Sequence, residues 1–449
     1  MVTAGMKAGK LAGYAEISMP HPIHFAATGD SFITRRLPNT TQLSAIRVLL
    51  AGCDARFTNF ETLTPGANAV ANAISGGTWA SAPDGVIPDL QGLGFNLFAL
   101  ATNHALDFLH AGLTATSAAF ARHNAVVAGA GANLAEAAAP RYLETKSGRV
   151  ALISVCSTLH ETAIAGQQRV DLQGRPGINP LRFSTTHTLP RDDLAVLAAL
   201  AAVSGVNSRN QMMVKEGFGE PPPPGMVQFG DLRFREGPAG GIVTTARPDD
   251  VARVTAAISE ARRQADRVVV SLHAHEQLGE DKAIAAEFVE SFSRACIDAG
   301  AHAVIGHGPH VLRGIEIYHG RPIFYSLGNF IFQNETVPVL PQEFYDKFKL
   351  PLTANVADAI DARSDTNRRG FAANPWAWKA VIARWVDDGD RVRDITLHPV
   401  ALGFGEVRPQ RGLPMLCNDP LIMPHLADLS ARYGTRIEIV GGTGKVLLQ

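Results

Sequence analysis

Short apolar runs alternate with amphipathic stretches along this chain of 449 residues. Continuous apolar runs predict buried strands, and apolar positions that recur every three or four residues predict helices. Such alternation is typical of layered α/β proteins. The predicted strands are Ile23–Thr28, Arg56–Phe60, Asn96–Ala101, Arg149–Val155, Arg267–Leu272, Ala303–Ile305, Trp376–Val386 and Val392–Val400. The predicted helices are Thr41–Ala51, Gly85–Leu93, Leu113–Arg122 and Ala283–Ala299.

Two stretches interrupt this alternation. Ser204–Arg247 is rich in glycine and contains four consecutive prolines, and Gln333–Asn374 is polar and irregular. We predict that both are insertions that form lid loops over the functional site, because long loops in compact domains often have this role. The predicted organisation is a tail at 1–20, an α/β domain at 21–400 that contains both insertions, and a C-terminal extension at 401–449 packed on the same domain.

The composition narrows the classes of function. The formal net charge is −1, so there is no strongly basic surface that would attract nucleic acid or an anionic membrane. No apolar run approaches the roughly 18 residues that a membrane span requires. The first twenty residues also lack the continuous apolar core of a signal peptide. We therefore expect a cytoplasmic protein that binds neither nucleic acid nor membrane, in an oligomeric state that the sequence leaves open. The two long insertions favour a small-molecule substrate over a polymer.

The spacing of the four cysteines indicates neither a metal site nor a redox site. Cys53, Cys156, Cys296 and Cys417 are far apart and form no CxxC pair. This spacing favours neither a zinc knuckle nor a redox centre, and it fits a reducing compartment. The sequence leaves open whether two distant cysteines form a disulfide.

Residue types that bind metals follow the predicted strands, at the points where those strands end. Because the carboxyl ends of strands in an open α/β sheet meet at one edge, we expect these side chains to converge. Carboxylate, amide oxygen and imidazole together suit manganese, iron or zinc, and a glutamate can bridge two such ions. The residues concerned are Asp30, Asn59, Glu61, Asn103, His104, His273, His275, His307 and His310.

Several of these residues also have simpler interpretations. Asp30 can stabilise a turn beside Gly29, and Asn103 can cap a helix. His275 can be a metal ligand, a substrate contact or only a hydrogen-bonded histidine near a polar edge. Arg35 and its neighbour Arg36 can meet an anionic substrate or form a solvated pair.

Six segments of the chain resemble the poly-γ-glutamate/capsule synthesis (CapA-like) proteins, a branch of the calcineurin-like metallophosphoesterase superfamily. The similarity extends from about His24 to Phe332, and its longest segment is the most specific. The segments are TGD at Thr28–Asp30, TNFET at Thr58–Thr62, ATNHALDF at Ala101–Phe108, GAGAN at Gly129–Asn133, SLHAHE at Ser271–Glu276 and GHGPHVLRGIEIYHGRPIFYSLGNF at Gly306–Phe330.

The resemblance implies a layered αββα sandwich of two mixed sheets flanked by helices, and a centre with two divalent metal ions (Mn, Zn or Fe). It implies that His104 is a general acid or charge stabiliser, oriented by Asp107. The implied metal ligands are Asp30, Glu61, Asn103, His273, His307 and His310. The predicted substrate contacts are His275, Asn329, Asn59 and Arg35.

Three features depart from the family pattern. Phe32 stands where phosphoesterases usually have a histidine, which CapA-like proteins commonly lack as well, so we expect one metal site to be weaker or differently filled. Ala274 and His275 stand where the family often has Trp-Gly, which adds an imidazole beside the centre. Capsule proteins usually have a leader or membrane anchor, and the sequence shows neither, which favours a soluble enzyme.

These observations leave three hypotheses for function. The first is a soluble two-metal hydrolase in which metal-activated water attacks a phosphoester of a small substrate. The second is an amide or ester hydrolase with the same centre, for example one that cleaves a γ-glutamyl linkage. The third is a non-catalytic capsule or poly-γ-glutamate assembly protein. Fold alone does not distinguish them.

Overall fold

Two β-sheets lie face to face at the centre of the molecule, which we describe from a computed structural model that covers residues 21–448. The predicted tail at 1–20 lies outside the described residues. The strands β1 to β12 are Ile23–Phe32, Ala55–Phe60, Leu97–Ala99, Val126–Ala128, Ala130–Gly131, Arg141–Thr145, Gly148–Cys156, Gly177–Ile178, Phe183–Leu189, Met226–Phe229, Leu232–Glu236 and Gly241–Ala246. The strands β13 to β24 are Arg267–His273, Gln277–Leu278, Asp281–Ala285, Ala303–His307, Leu312–Tyr318, Arg321–Leu327, Asn329–Phe332, Lys379–Asp387, Val392–Ala401, Met415–Leu416, Arg436–Val440 and Thr443–Leu447.

Helices cover the outer faces of these sheets. The helices α1 to α11 are Thr41–Ala51, Val86–Leu93, Leu109–Arg122, Leu134–Ala138, Arg191–Ser204, Ser208–Lys215, Pro248–Arg262, Glu287–Asp298, Gln342–Lys347, Val356–Ser364 and Ile422–Ala431. Three short 3₁₀ helices are Glu161–Ala163, Gly370–Ala373 and Pro375–Trp378. Within residues 21–448, no helix combines the length and apolar character needed to cross a membrane.

Both central sheets are mixed. The first has the order β23-β24-β21-β20-β1-β2-β3-β4, with β19 added beside β1. Its strands β1 to β4 are parallel, whereas β20 runs antiparallel to β1. The second sheet has the order β17-β18-β16-β13-β7-β6, and β7, β13, β16 and β18 are parallel. The carboxyl ends of the parallel strands therefore lie at one edge of each sheet.

Aromatic and branched side chains fill the space between the sheets. Phe25 of β1 stacks on Trp385 of β20, with ring centroids 5.0 Å apart. Phe324 of β18, in the other sheet, lies 5.3 Å from the same indole. Separate apolar clusters join α1, α2 and α3 to the first sheet and α7 and α8 to the second. The predicted αββα sandwich is confirmed.

One predicted insertion is folded rather than looped. Strands β9 to β12 form a four-stranded sheet, and α5 and α6 lie between them in the chain. The small sheet meets the main body at α8, where Phe183 stacks on Phe288 at 4.3 Å and the backbone N–H of Thr244 donates to Glu287. The prediction of a loop at Ser204–Arg247 is wrong, because the density of glycine and proline obscured three short strands.

The other predicted insertion lies beside the strand ends. Residues 333–374 contain α9, α10 and a 3₁₀ turn, and salt bridges tie them to the segment that follows β21. Arg408 pairs with Asp361 at 2.6 Å, and Arg411 pairs with the buried Glu335. Residues after 401 contribute β22, β23 and β24 to the first sheet and α11 beside β17.

Two local predictions are corrected. The helix predicted at Ala283–Ala299 begins only at Glu287, because Asp281–Ala285 pairs with β14 as a hairpin strand. The first strand continues beyond Thr28 to Phe32, so Asp30 lies within β1 and not after it. All four cysteines have free thiols.

A buried ion cluster connects the two sheets. Asp387, at the end of β20, is fully buried and accepts from Arg267 of β13 at 2.7 Å. Its second oxygen accepts from Arg321 of β18, also at 2.7 Å. One carboxylate of the first sheet thus neutralises two guanidinium groups of the second.

We expect Asp387→Asn to lower the free energy of unfolding by about 3–5 kcal/mol, because it leaves two arginines without their counter-charge, one of them fully buried. Denaturant titration followed by circular dichroism measures this. The matched control is Glu236→Gln, which breaks a pair with Arg191 whose side chains are 59% and 82% exposed. That control should change stability by less than about 0.5 kcal/mol. Equal effects of the two substitutions would contradict the role assigned to Asp387.

Candidate metal centre

The register of the parallel strands brings together side chains that are distant in sequence. Asp30 of β1 lies opposite Asn59 of β2 on one side and Asn329 of β19 on the other. In the facing sheet, His273 of β13 lies opposite His307 of β16. These five side chains are buried, and they meet where the carboxyl edges of the two sheets approach each other.

Glu61 enters this cluster directly after β2. Its backbone N–H donates to the carbonyl of Ser31 at 3.3 Å, which fixes the residue against β1. The carboxylate is fully buried, and neither oxygen has a hydrogen-bond partner among the described residues. Oε1 lies 3.6 Å from Nε2 of His273. A buried carboxylate without a donor is costly, so this position favours a cation as its partner.

His273 is at the middle of the cluster. Its Nδ1 lies 3.0 Å from Nδ1 of His307, and its Nε2 lies 2.9 Å from Oδ1 of Asn103 and 3.1 Å from Nε2 of His275. A neutral imidazole has one N–H, so it cannot donate in both directions. Whichever nitrogen carries the proton, the other directs a lone pair into the cluster, where a cation can bind it.

The end of β16 and the turn that follows it position His307 and His310 in the cluster. Gly308 has φ +115° and His310 has φ +61°, so the chain reverses through left-handed backbone. The N–H of Gly308 donates to Oδ2 of Asp30 at 2.8 Å, which joins this turn to β1. Nε2 of His307 lies 2.7 Å from the hydroxyl oxygen of Ser271, and Nδ1 of His310 lies 2.8 Å from Oδ1 of Asn329.

The loop after β13 places His275 at the border of the cluster. The backbone N–H of His275 donates to the hydroxyl of Thr158 at 2.8 Å. The buried guanidinium of Arg313 donates to the carbonyls of Ala274, His275 and Glu276 at 3.0–3.1 Å. Burial lowers the pKa of Arg313 to about 10, and it remains a cation at neutral pH. Arg313 therefore orients this loop, because its donors are used by backbone carbonyls.

His104 and Asp107 form a separate buried pair. Nδ1 of His104 lies 2.6 Å from Oδ2 of Asp107. That carboxylate also accepts from the backbone N–H groups of Gly76 and Ala80, at 3.1 and 2.7 Å. The ring of Phe32 meets the imidazole edge to face at 5.1 Å. Asp107 is thereby fixed by the backbone, and it fixes the orientation of the histidine ring.

The two carboxylates of the cluster have opposite electrostatic surroundings. Burial raises the pKa of Glu61 well above its ordinary value, and the charges of Asp30 and Asp107 raise it further. Burial also tends to raise the pKa of Asp30, but contact with His307 and the charges of His307 and His310 outweigh this effect. The pKa of Asp30 therefore lies below its usual range, which keeps a carboxylate at the centre.

The imidazoles are held in the form that binds metals. Burial and the neighbouring histidines lower the pKa values of His273 and His275 well below the ordinary value. Burial also lowers the pKa of His310. Neutral imidazole is the ligand form of histidine.

The donor set fits divalent cations. Three groups of ligand atoms lie within 4.8 Å of one another: Asp30 with His273 and His307, Glu61 with His273 and His275, and Asp30 with Glu61 and His310. Ligand bonds of about 2.0–2.2 Å place two ligand atoms of one ion up to about 4.4 Å apart, so these groups approach the spacing of a metal site. Asp30, Glu61 and His273 each belong to two groups, so neighbouring ions would share ligands. The residues described here can hold metal ions.

The cluster contains most of the residues singled out in the sequence. The six predicted ligands, and Asn59, Asn329 and His275, lie at the carboxyl edges of the two sheets. Arg35 does not join them, because its guanidinium donates to the carbonyl of Pro409 at 3.2 Å and its backbone N–H binds Gln333.

Several residues that support this cluster were not predicted from the sequence. Ser157 and Thr158 donate to the two oxygens of Glu276 at 2.6 and 2.8 Å, beside His275. The ring centroid of Phe371, from the insertion 333–374, lies 4.8 Å from that of His310. None of these residues has a recognisable spacing to the ligands. Only the position of Ser157 and Thr158, directly after β7, could have indicated a role for them.

Comparison with known proteins gives a family-level match. The profile of the bacterial capsule synthesis protein PGA_cap matches residues 24–334, which is more than half of the chain. This range contains all six predicted metal ligands as well as His104 and His275. The resemblance to CapA-like proteins inferred from the sequence is confirmed.

Individual relatives differ in how much of the chain they match. The uncharacterized protein y4sH of Sinorhizobium fredii is 32% identical over 440 residues, 94% of this chain and 92% of its own length. The PGA biosynthesis protein CapA of Bacillus subtilis is 48% identical over 75 residues, 17% of this chain and 19% of its own. The capsule biosynthesis protein CapA of Bacillus anthracis is 35% identical over 102 residues, 21% and 24% of the two chains.

We expect Glu61→Gln to reduce bound manganese or zinc by at least half while the metal-free protein stays as stable as the wild type. Because the carboxylate has no hydrogen bond to lose among the described residues, removing its charge should leave the free energy of unfolding of the metal-free protein unchanged. Asp30→Asn is the contrasting variant, because it disturbs bonds to Asn59 and Gly308 and should destabilise the metal-free protein by about 1–3 kcal/mol. Elemental analysis and denaturant titration measure the two quantities. Wild-type metal content in Glu61→Gln would refute its role as a ligand.

Proposed function

This chain belongs to the family of the bacterial capsule synthesis protein PGA_cap, and from that premise we propose that it is a metal-dependent hydrolase. The bond cleaved in this proposal is a phosphoester of a small substrate. The observation that supports it most is Glu61, whose two buried oxygens have no donor in the part of the chain that the structure describes, while imidazole nitrogens face it. A protein that used these residues only for structure would have no need for such an arrangement.

We assign the metal ions to the convergent carboxylate, amide and imidazole groups. The ligands in this proposal are Asp30, Glu61, Asn103, His273, His307 and His310, with His275 as a further donor beside Glu61. Two divalent ions at such a centre supply Lewis acidity, which activates water and stabilises the negative charge of a hydrolytic transition state. Manganese, zinc and iron all suit this mixture of donors.

The protein's own contribution to proton transfer comes from His104. Because Nδ1 is held by Asp107, Nε2 is the nitrogen left to deliver a proton to a leaving group or to stabilise its charge. The backbone donors of Gly76 and Ala80 keep Asp107 in place, so the ring keeps one orientation. Phe32 shields one side of this pair from solvent. A histidine held in this way exchanges protons without reorganising its surroundings.

A second candidate bond is an amide or ester, including a γ-glutamyl linkage. The relative in Bacillus subtilis is named a PGA biosynthesis protein, and this name favours a glutamyl substrate for the same centre. The chemistry required of the residues is the same, because both reactions place negative charge on oxygen near the metals. We further propose a cytoplasmic location and a small-molecule substrate, in keeping with the net charge of −1.

A panel of substrates tests the proposal directly. Purified protein loaded with manganese is assayed with aryl phosphates, phosphodiesters, aryl esters, aryl amides and γ-glutamyl anilides. Release of product from the phosphoesters supports the primary proposal, and release only from the amides or esters supports the second. Failure to cleave any member of the panel, with metal bound, would reject a hydrolase and favour a non-catalytic assembly protein.

We expect His104→Ala to lower kcat by about two to four orders of magnitude while metal content stays unchanged. His104 is outside the three ligand groups, so the ions should remain. The matched control is His319→Ala, which removes a histidine that is 69% exposed and paired only loosely with Asp298. Steady-state kinetics and elemental analysis give both readouts. Full activity in His104→Ala would exclude this residue from proton transfer.

A further inference from the structure

A cavity of about 390 Å³ lies next to the metal centre, between the β14–β15 hairpin and the insertion 333–374. Phe371 forms a wall of this cavity and also meets the ring of His310 edge to face at 4.8 Å. The ammonium group of Lys282 lies 5.4 Å from the centroid of Phe371. One aromatic ring therefore separates the cavity from a predicted metal ligand.

The cavity is lined by cations. Lys282, Arg363 and Arg369 all contribute to its lining, and we call these three residues the cationic pocket. The lining contains one carboxylate, Glu335, which is buried and already paired with Arg411. The cavity thus has an excess of positive charge in a protein whose formal net charge is −1.

The two arginines of the cationic pocket have no carboxylate within salt-bridge distance in the part of the chain that the structure describes. Arg363 is half-buried, donates to the hydroxyl of Thr78 and lies over the ring of Phe344. Arg369 donates to the carbonyls of Arg363 and Ala362 at 2.9 and 3.1 Å. Arg363 is partly buried without a counter-charge and would gain from a bound anion, and the exposed Arg369 adds a second guanidinium that can hold the anion with paired hydrogen bonds.

Lys282 is connected to the metal centre through the backbone. Its carbonyl accepts from Arg313 at 2.9 Å, and the same guanidinium binds the carbonyls of His275 and Glu276. The hairpin that bears Lys282 and the loop that bears His275 are therefore held by one buried side chain. The backbone position of Lys282 is therefore set relative to that of His275 before any substrate binds.

We propose that the cationic pocket binds a second anionic group of the substrate, a carboxylate or a phosphate, while the scissile bond lies at the metal centre. The substrate class is then a small molecule with two anionic or potentially anionic groups, separated by about the width of Phe371. This inference rests on the proposed function for the position of the scissile bond. The anion site itself depends only on the contacts of Lys282, Arg363 and Arg369.

The experiment measures anion binding without catalysis. Metal-free protein at low ionic strength is titrated calorimetrically with glutarate and, separately, with inorganic phosphate. We expect the wild type to bind at least one of them, and Lys282→Ala to weaken that binding about tenfold. Lys282→Glu should abolish it, because it reverses the charge. Tighter binding of glutarate assigns a carboxylate to the pocket, and tighter binding of phosphate assigns a phosphate.

The matched control is Lys215→Ala, which removes an exposed lysine at the end of α6, outside the cationic pocket. It should bind both anions as the wild type does. Arg363→Lys tests the guanidinium while retaining the charge, and it should also weaken binding. The proposal is overturned if the wild-type protein binds neither anion, or if the Lys282 variants bind as tightly as Lys215→Ala.

The same variants separate this inference from the proposed function. For a hydrolysed substrate with a second anionic group, Lys282→Ala should raise KM about tenfold and change kcat little. Anion binding that depends on Lys282, without hydrolysis of any substrate, would reject the hydrolase and retain the pocket. Hydrolysis of a substrate by a protein that binds neither anion would reject the cationic pocket as an anion site and retain the hydrolase.

Discussion

The burial of Glu61 without a hydrogen-bond donor among residues 21–448 is the constraint on which this account of the molecule depends. Two sheets that face each other bury their strand ends, and the register of β1, β13 and β16 aligns carboxylates with imidazoles there. Most buried polar groups in proteins are satisfied by hydrogen bonds. Among the described residues Glu61 instead has no donor and lies 3.6 Å from Nε2 of His273, and a cation bound between them would supply the missing partner.

The supporting residues maintain this unfavourable arrangement in the absence of metal. Ser271 and Asn329 each hold an imidazole, and the backbone of Gly308 holds Asp30. Arg313 uses its donors on backbone carbonyls and orients the loop that contains His275. Such outer contacts cost little when metal is bound and keep the ligands from collapsing onto other partners when it is not.

The sequence predicted that the candidate ligands converge better than it predicted their surroundings, and the reason is physical. Asp30, Glu61, His273 and His307 follow apolar runs, and parallel strands bring such positions to one edge whatever the intervening chain does. The start of α8 was predicted too early because Asp281–Ala285 pairs with β14, a tertiary contact that overrides the helical spacing. Ser204–Arg247 was predicted as a loop because short strands among glycines have little periodicity.

The contribution of the insertion 333–374 could not be predicted from its residues alone. Phe371 meets His310 only because salt bridges such as Arg408 with Asp361 hold this segment against the core. The polar composition of the segment indicated a lid, whereas the structure shows a wall of the cavity with its own cations. The cavity wall therefore depends on long-range packing, whereas the candidate metal ligands depend on the positions of strand ends.

Anomalous X-ray diffraction from crystals soaked in manganese tests the central claim most directly. The account predicts one or two strong peaks within bonding distance of Asp30, Glu61 and His273, with adjacent ions sharing at least one of these ligands. Absence of any peak among these side chains at saturating manganese, zinc or iron would contradict it.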